Sequence, residues 1–185
     1  MAVIMSTFDD QALVRKCLAG ETEAFGELID RHQRALFNTA LRMTGDSEEA
    51  ADLTQSAFVK AYEKLDSYRS EHKFFSWIYR ILVNETINAL KQRRQQQGLD
   101  MEPESSDPTP DELHETNVRN LRIETALREL SFDYRLVIVL RYFNDMSYQE
   151  MSEILAVPEK TVKSRLYTAR QNLATILGRM GVVTL

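Results

Sequence analysis

The sequence predicts an all-α chain of two small helical domains joined by an acidic linker, the second domain carrying a helix-turn-helix. Three observations carry this expectation. Apolar residues recur three and four apart through most of the chain, the spacing that lines one face of a helix. Only 6 Gly and 4 Pro occur in 185 residues, few for the turns that an all-β fold consumes. Pro103, Pro108 and Pro110, three of the four prolines, fall between Leu99 and Thr116 beside seven acids and no Lys or Arg, a mixture that neither packs nor continues a helix. The expected division is 1–95 for the first helical domain, 96–116 for a flexible acidic linker containing Pro and Ser, and 117–185 for the second.

In the first part, Asp9 or Asp10 is placed to cap a helix through Leu18, and Thr22 to cap the next. That second helix carries Phe25, Leu28, Ile29, Ala35, Leu36, Ala40 and Leu41 near helical period before Gly45 closes it,. Asp46 or Ser47 caps a helix through Ala50, Leu53, Ala57, Phe58, Ala61 and Leu65, and a long helix follows from about Phe74 to Arg94. In the second part, helices are expected from about Thr116 to Leu130, Asp133 to Tyr142, Ser147 to Leu155 and Glu159 to Leu177. Ser147 with Glu150 three residues on forms a capping-box pattern. Ala156-Val157-Pro158-Glu159 then breaks the period, and a new helix begins with Val162, Leu166 and Ala169 facing inward. Two helices about four residues apart, the second of them basic, have the spacing of a helix-turn-helix.

Net charge is -5, from 23 Lys plus Arg against 28 Asp plus Glu, but outside Leu99 to Thr116 21 acids face 23 bases. The global value therefore does not argue against nucleic acid as a partner. No apolar run reaches the 18 or so residues of a membrane span, and Met1 to Phe8 lacks signal-peptide order, so no membrane insertion and a cytoplasmic location are expected. Cys17 is the one cysteine and is placed to pack; His32, His72 and His114 lie far apart. Neither a disulfide nor a metal site is expected, and no cofactor. The phosphate loop, the nucleophile elbow, the dinucleotide fingerprint and the H-E-x-x-H motif are all missing from the sequence, so no enzyme is expected.

Two segments carry the residue types of nucleic-acid recognition. The last helix sets Lys160, Lys163, Arg165 and Arg170 against Glu159 and adds Thr161, Ser164, Tyr167 and Thr168 on the surface its apolar stripe leaves over. Such a helix suits a major groove, its early residues reaching bases and its long cations phosphates; a solvated face is the plainer alternative. The Phe74 to Arg94 helix mixes Phe74, Phe75, Trp77 and Tyr79 with Arg80, Asn84, Asn88 and Lys91. Aromatics with bases and amides suit single-stranded DNA, although Trp77 is expected in the core. Tyr68, Arg69 and His72, just before that helix, are freer to touch a ligand. The face of Glu48, Glu49, Asp52, Gln55 and Glu63 is either a protein contact or a solvated surface.

From about residue 10 to 178 the chain resembles the extracytoplasmic-function sigma factors of the sigma-70 superfamily. Asp52-Leu53-Thr54-Gln55-Ser56-Ala57-Phe58 is similar to that family's D-x-x-Q-x-x-F stretch. The run from Phe75 to Asn84 is similar to its F-x-x-W-[LI]-x-x-I-x-x-N block, and Leu140 to Phe143 followed by Met146 to Met151 to the lead-in of its helix-turn-helix. Pro158 to Arg165 resembles P-x-G-T-V-K-S-R, with Lys160 where Gly is usual; Asn88 stands where Asp is frequent and Lys91 where Arg is common.

The resemblance implies delivery rather than catalysis. Asp52, Gln55 and Phe58 would hold the coiled-coil of the largest subunit of core RNA polymerase, whose flap is a second expected contact. Tyr68, Arg69, His72, Arg80, Asn84, Asn88 and Lys91 would take the melted -10 strand of promoter DNA. Lys160, Thr161, Lys163, Ser164, Arg165, Tyr167 and Arg170 would read the -35 duplex. An anti-sigma factor is the further expected partner. A duplex-binding helix-turn-helix regulator without a sigma role, or a helical adaptor without DNA, would need no melting block and no polymerase-binding face.

Overall fold

The computed structural model describes the backbone of residues 2–96 and 115–181, and within them the side chains of 10–93 and 121–181. The linker expected at 96–116 lies, apart from its ends, outside the described residues. Eight α-helices are described: α1 (Ala2–Leu18), α2 (Glu23–Thr44), α3 (Ser47–Glu63), α4 (Phe74–Gln96), α5 (Glu115–Arg128), α6 (Phe132–Ile138), α7 (Tyr148–Leu155) and α8 (Glu159–Arg179). A 3-10 turn at Leu65–Ser67 follows α3, and a π-helical segment at Val139–Phe143 follows α6. Among the described residues there is no strand, and no described helix is long and apolar enough to cross a membrane.

Two of the expected caps are not made. Asp10 does not open α1, which starts at Ala2. Its carboxylate is instead buried, accepting from Arg31 at 3.2 Å and sitting 2.9 Å from His32 Nε2. A buried carboxylate needs partners of that kind, and these pin α1 to α2. Thr22 takes helical backbone angles and makes no side-chain cap, so α2 opens on a backbone turn from Glu21 and Thr22 instead. Asp46 does cap α3, accepting from the amides of Glu48 and Glu49 at 2.8 and 3.0 Å.

Gly45 ends α2 in the left-handed region at φ 78° and returns its amide to Leu41 O, a conformation that any side chain would strain. A Cβ there would also lie 3.1 Å from Arg128 Nε. The expected helix over 133–142 passes into the π segment at Val139. The wider turn sets Phe143 against α2, where the Arg42 guanidinium covers its ring at 4.1 Å.

The two halves of the chain pack on each other, and their buried residues join in one cluster from Leu13 to Leu177. Helix α7 lies across α4, and α2 touches α5, α6 and the π segment. Polar contacts also cross the join. Arg135 reaches Met43 O at the end of α2 (2.7 Å) and the carbonyls of Leu127 and Leu130 (2.9 and 3.2 Å) around the end of α5. It thus satisfies carbonyls that helix ends leave without intrahelical partners. Burial, followed by the nearby Arg128 charge, lowers its pKa to about 10. Asn144, just past the π segment, accepts from Tyr79 Oη at 2.9 Å and donates to Thr39 Oγ1 at 3.0 Å.

Candidate nucleic-acid and polymerase interfaces

The helix-turn-helix is assembled locally. Glu150 Oε2 accepts from the Ser147 amide at 2.8 Å, and the Glu150 amide donates to Ser147 Oγ at 3.2 Å, completing the capping box at the start of α7. Ala156, at φ 52°, ends α7 in the left-handed region, and Ser152 Oγ ties the turn by donating to Val157 O at 2.6 Å. Pro158 accepts from the Thr161 amide at 2.8 Å as α8 begins. Val162, Leu166 and Ala169 are buried, which fixes the roll of α8.

That roll leaves Lys160, Lys163, Ser164, Tyr167 and Arg170 exposed, and Thr161 and Arg165 half-buried at the edge. Tyr167 is 60% exposed. Lys163 Nζ lies 3.5 Å from Glu159 and 5.3 Å from the ring centroid of Tyr148, whose ring Arg141 approaches at 5.5 Å. Arg165 is 4.0 Å from Asp133. Each of these contacts lies within the C-terminal half.

The segment before α4 is held from a distance. Gln11 Nε2 donates to Ser70 O at 2.8 Å. Tyr68 is not a free side chain: its hydroxyl donates to His72 O at 2.6 Å, and its ring meets Trp77 at 5.4 Å and Phe74 at 5.8 Å. Burial pushes its phenol pKa up. Phe74 is fully buried, and Trp77 is partly buried against the core. Arg80, Asn84, Asn88 and Lys91 are all exposed, and their spacing of four, four and three places them in one line along α4. Arg69 is exposed.

His72 and the adjacent Lys73 meet α7. Lys73 Nζ donates to Glu150 Oε1 at 2.7 Å, and His72 Nδ1 is 3.4 Å from Glu153 Oε2. Partial burial works to raise the Glu150 pKa, but the hydrogen bonds from Lys73 and Ser147 outweigh it and hold the carboxyl below its ordinary value of 4.5. Nothing in the sequence pattern marked Lys73; only its partner across the join does.

The acidic face on α3 borders a groove of about 950 Å³ between α2 and α3. Of the three residues singled out there, Gln55 sits on the lip and Phe58 in the wall, 6% exposed and edge-on to Phe25 at 6.4 Å. Asp52 is exposed outside it. The α2 side, with Phe25, Ile29, Gln33 and Phe37, and the exposed Val59 and Tyr62 were not found from the motif. Ile29 and Phe37 follow the same apolar period as the core of α2, so periodicity alone could not separate groove from interior. Cys17 is partly buried, and burial raises its thiol pKa. Among the described residues no group of His, Cys, Asp or Glu is arranged to hold a metal.

Residues 28–96 match the family model for sigma-70 region 2, and 120–173 that for sigma-70 region 4. The ECF RNA polymerase sigma factor SigW of Bacillus subtilis is 31% identical over 172 residues, covering 86% of this chain and 92% of that protein. The structure of CnrH in complex with the cytosolic domain of CnrY superposes with TM-score 0.72 at 26% identity, over 92% of this chain and 97% of that one. The sigma factor RpoE of Bartonella quintana, in complex with the anti-sigma factor NepR, gives TM-score 0.69 at 26% identity, over 83% and 96%. No enzymatic family is indicated by these matches. With region 2 on the half that carries the groove and the α4 line, and region 4 on the half that carries the capped turn and α8, the chain belongs to the extracytoplasmic-function sigma factors, alternative sigma factors of RNA polymerase.

Proposed function

We propose that the two halves divide promoter recognition as two sigma domains, 1–95 and 117–185, on either side of the 96–116 linker. The α2–α3 groove receives the coiled-coil of the polymerase largest subunit, with Gln55 and Tyr62 on its rim, Phe58 in its wall and Asp52 beside it. The line of Arg80, Asn84, Asn88 and Lys91 takes the opened -10 strand, with Arg69 and His72 at its upstream end. Tyr68 serves chiefly to hold that end in place. On α8, Lys160, Thr161, Lys163, Ser164, Arg165, Tyr167 and Arg170 meet the -35 duplex, cations on phosphates and the early residues on base edges. Strand opening is offset by stacking and polar contacts on the captured bases, and the polymerase, in the cytoplasm, supplies the chemistry.

The observation that carries this reading is the exposed line on α4. Four polar side chains in register face solvent on a helix whose opposite side supplies the fully buried Phe74, Ile78 and Tyr79. A helical bundle needs no such amide-rich stripe for its own stability. RpoE is held by an anti-sigma factor in its complex, and a partner of that kind is proposed for this chain too.

The test is transcription from a genomic fragment library by core polymerase with and without the chain, with start sites mapped. Discrete new starts sharing two spaced upstream elements are expected. No new starts, with duplex binding retained, would overturn this reading.

A further inference from the structure

We propose that Gln11 of α1 is a positioning residue for base recognition: it holds the turn of Arg69, Ser70 and Glu71 in the shape that receives the upstream end of the opened promoter strand. This rests on the reading of the segment before α4 as strand-facing.

Helix α1 ends at Leu18, before the match to sigma-70 region 2 starts at residue 28, so that match assigns it no part in reading DNA. The helix is nonetheless firmly docked. Leu13 and Val14 are buried, and the buried Asp10 joins α1 to Arg31 and His32 of α2. Gln11, the next residue, is directed elsewhere. Its amide donates to Ser70 O at 2.8 Å, and its side chain hydrogen-bonds Tyr68 as well.

The turn closes on itself at its ends, where Tyr68 Oη donates to His72 O at 2.6 Å and the His72 amide to Arg69 O at 3.1 Å. Between those bonds, the Ser70 carbonyl is met by Gln11 from 59 positions earlier in the chain. Arg69, Ser70 and Glu71 are all exposed at the tip. A hydrogen bond at such a wet position adds little to folding, because water replaces it readily. Base discrimination is more demanding, since it needs groups held within about 0.5 Å of the productive geometry. The bond therefore matters more to reading than to stability. Both of its ends lie in the N-terminal half, so it does not depend on where the α8 half sits on the duplex.

The test uses core polymerase loaded with the full-length chain. The probe is a fork-shaped DNA from a responsive promoter, duplex through the upstream element and single-stranded through the downstream one, substituted one base at a time. Gln11→Met, close in shape but without a donor, and Gln11→Ala should each lower the preference for the natural base at the upstream end of the single strand by about fivefold or more. Preferences further downstream, along the α4 line, should hold. Affinity for core polymerase should be unchanged, and the melting temperature should stay within about 2 °C of the wild-type value. Arg15→Ala, exposed one turn along the same helix, should behave as wild type.

If Gln11→Met keeps the wild-type preference at every base while Arg69→Ala weakens binding of the fork, the assignment of Gln11 is overturned and the strand-facing reading stands. A uniform loss at all bases, or a loss of core affinity with it, would make Gln11 a support of the fold alone and also overturns the assignment. If neither Gln11→Met nor Arg69→Ala changes binding or preference, the strand-facing reading fails and the assignment falls with it.

Discussion

The two basic faces of this sigma factor are built from opposite kinds of contact. On α8, the capping box at Ser147, the left-handed Ala156 and the buried Val162, Leu166 and Ala169 lie within 23 residues of one another, and the charged partners Glu159 and Asp133 belong to the same half. Before α4, Tyr68 is tied locally to His72 O, but three residues meet distant partners: Ser70 meets Gln11, Lys73 meets Glu150 and His72 meets Glu153. A face made by local rules is present whenever its own half is folded. A face made by long-range contacts depends on the arrangement of the whole chain.

The strongest way to break this contrast is to unfold one half. Leu166→Ala removes a side chain that is 1% exposed in the C-terminal half and is expected to cost about 2–5 kcal/mol. Trp77, the one tryptophan, reports on the N-terminal half alone. In a urea titration the helical circular dichroism should therefore lose its C-terminal contribution at lower urea, with the Trp77 emission midpoint moving by less than half as much. Coincident shifts would mean that the halves unfold as one unit and that the faces are equally tertiary.

The next largest effect separates DNA from polymerase. Arg165→Ala is expected to weaken binding to promoter duplex by about 1–3 kcal/mol while leaving affinity for core polymerase intact, as read by mobility shift and by pull-down titration. Conversely, Asp52→Ala and Tyr62→Ala should lower affinity for core polymerase, Tyr62→Ala by about tenfold because it removes a large rim aromatic, with duplex binding unchanged. Tyr62 is 46% exposed, so its melting temperature should stay within about 2 °C of the wild-type value.

The smallest effect is on pH. The Glu150 carboxyl is held below its ordinary 4.5, so its contribution is fully present above that value and is lost as pH falls through the lowered one. The wild-type advantage over Glu150→Gln in urea should be constant from pH 7 to 5 and vanish at more acidic pH. Because its partner Lys73 is 46% exposed to solvent, that advantage should not exceed about 1 kcal/mol.

The same contrast explains what could be read from the sequence. The helices, the Gly45 stop, the Asp46 cap and the whole helix-turn-helix follow from neighbours along the chain, and all are present. Asp10 reads as a cap because acids usually stand there, but it is taken by Arg31 and His32 on the next helix. Asn144 and Arg135 hold the two halves together, yet a lone amide in a loop and one arginine in a short helix have no period to betray them. The groove was half legible: the α3 motif marked Gln55 and Phe58, whereas the α2 wall could be told from core only once α2 and α3 were set side by side. Lys73 carried no signal beyond its neighbours Tyr68, Arg69 and His72.

The central claim is that duplex reading and strand opening belong to separate halves of the molecule. Its most direct test is a footprint on one responsive promoter, with polymerase bearing the wild-type chain, Arg165→Ala or Asn84→Ala, scored for protection at the upstream element and for permanganate reactivity of thymines at the downstream one. Arg165→Ala should lose upstream protection. Asn84→Ala should keep it while losing permanganate reactivity. Parallel loss of both signals in both variants would contradict the division.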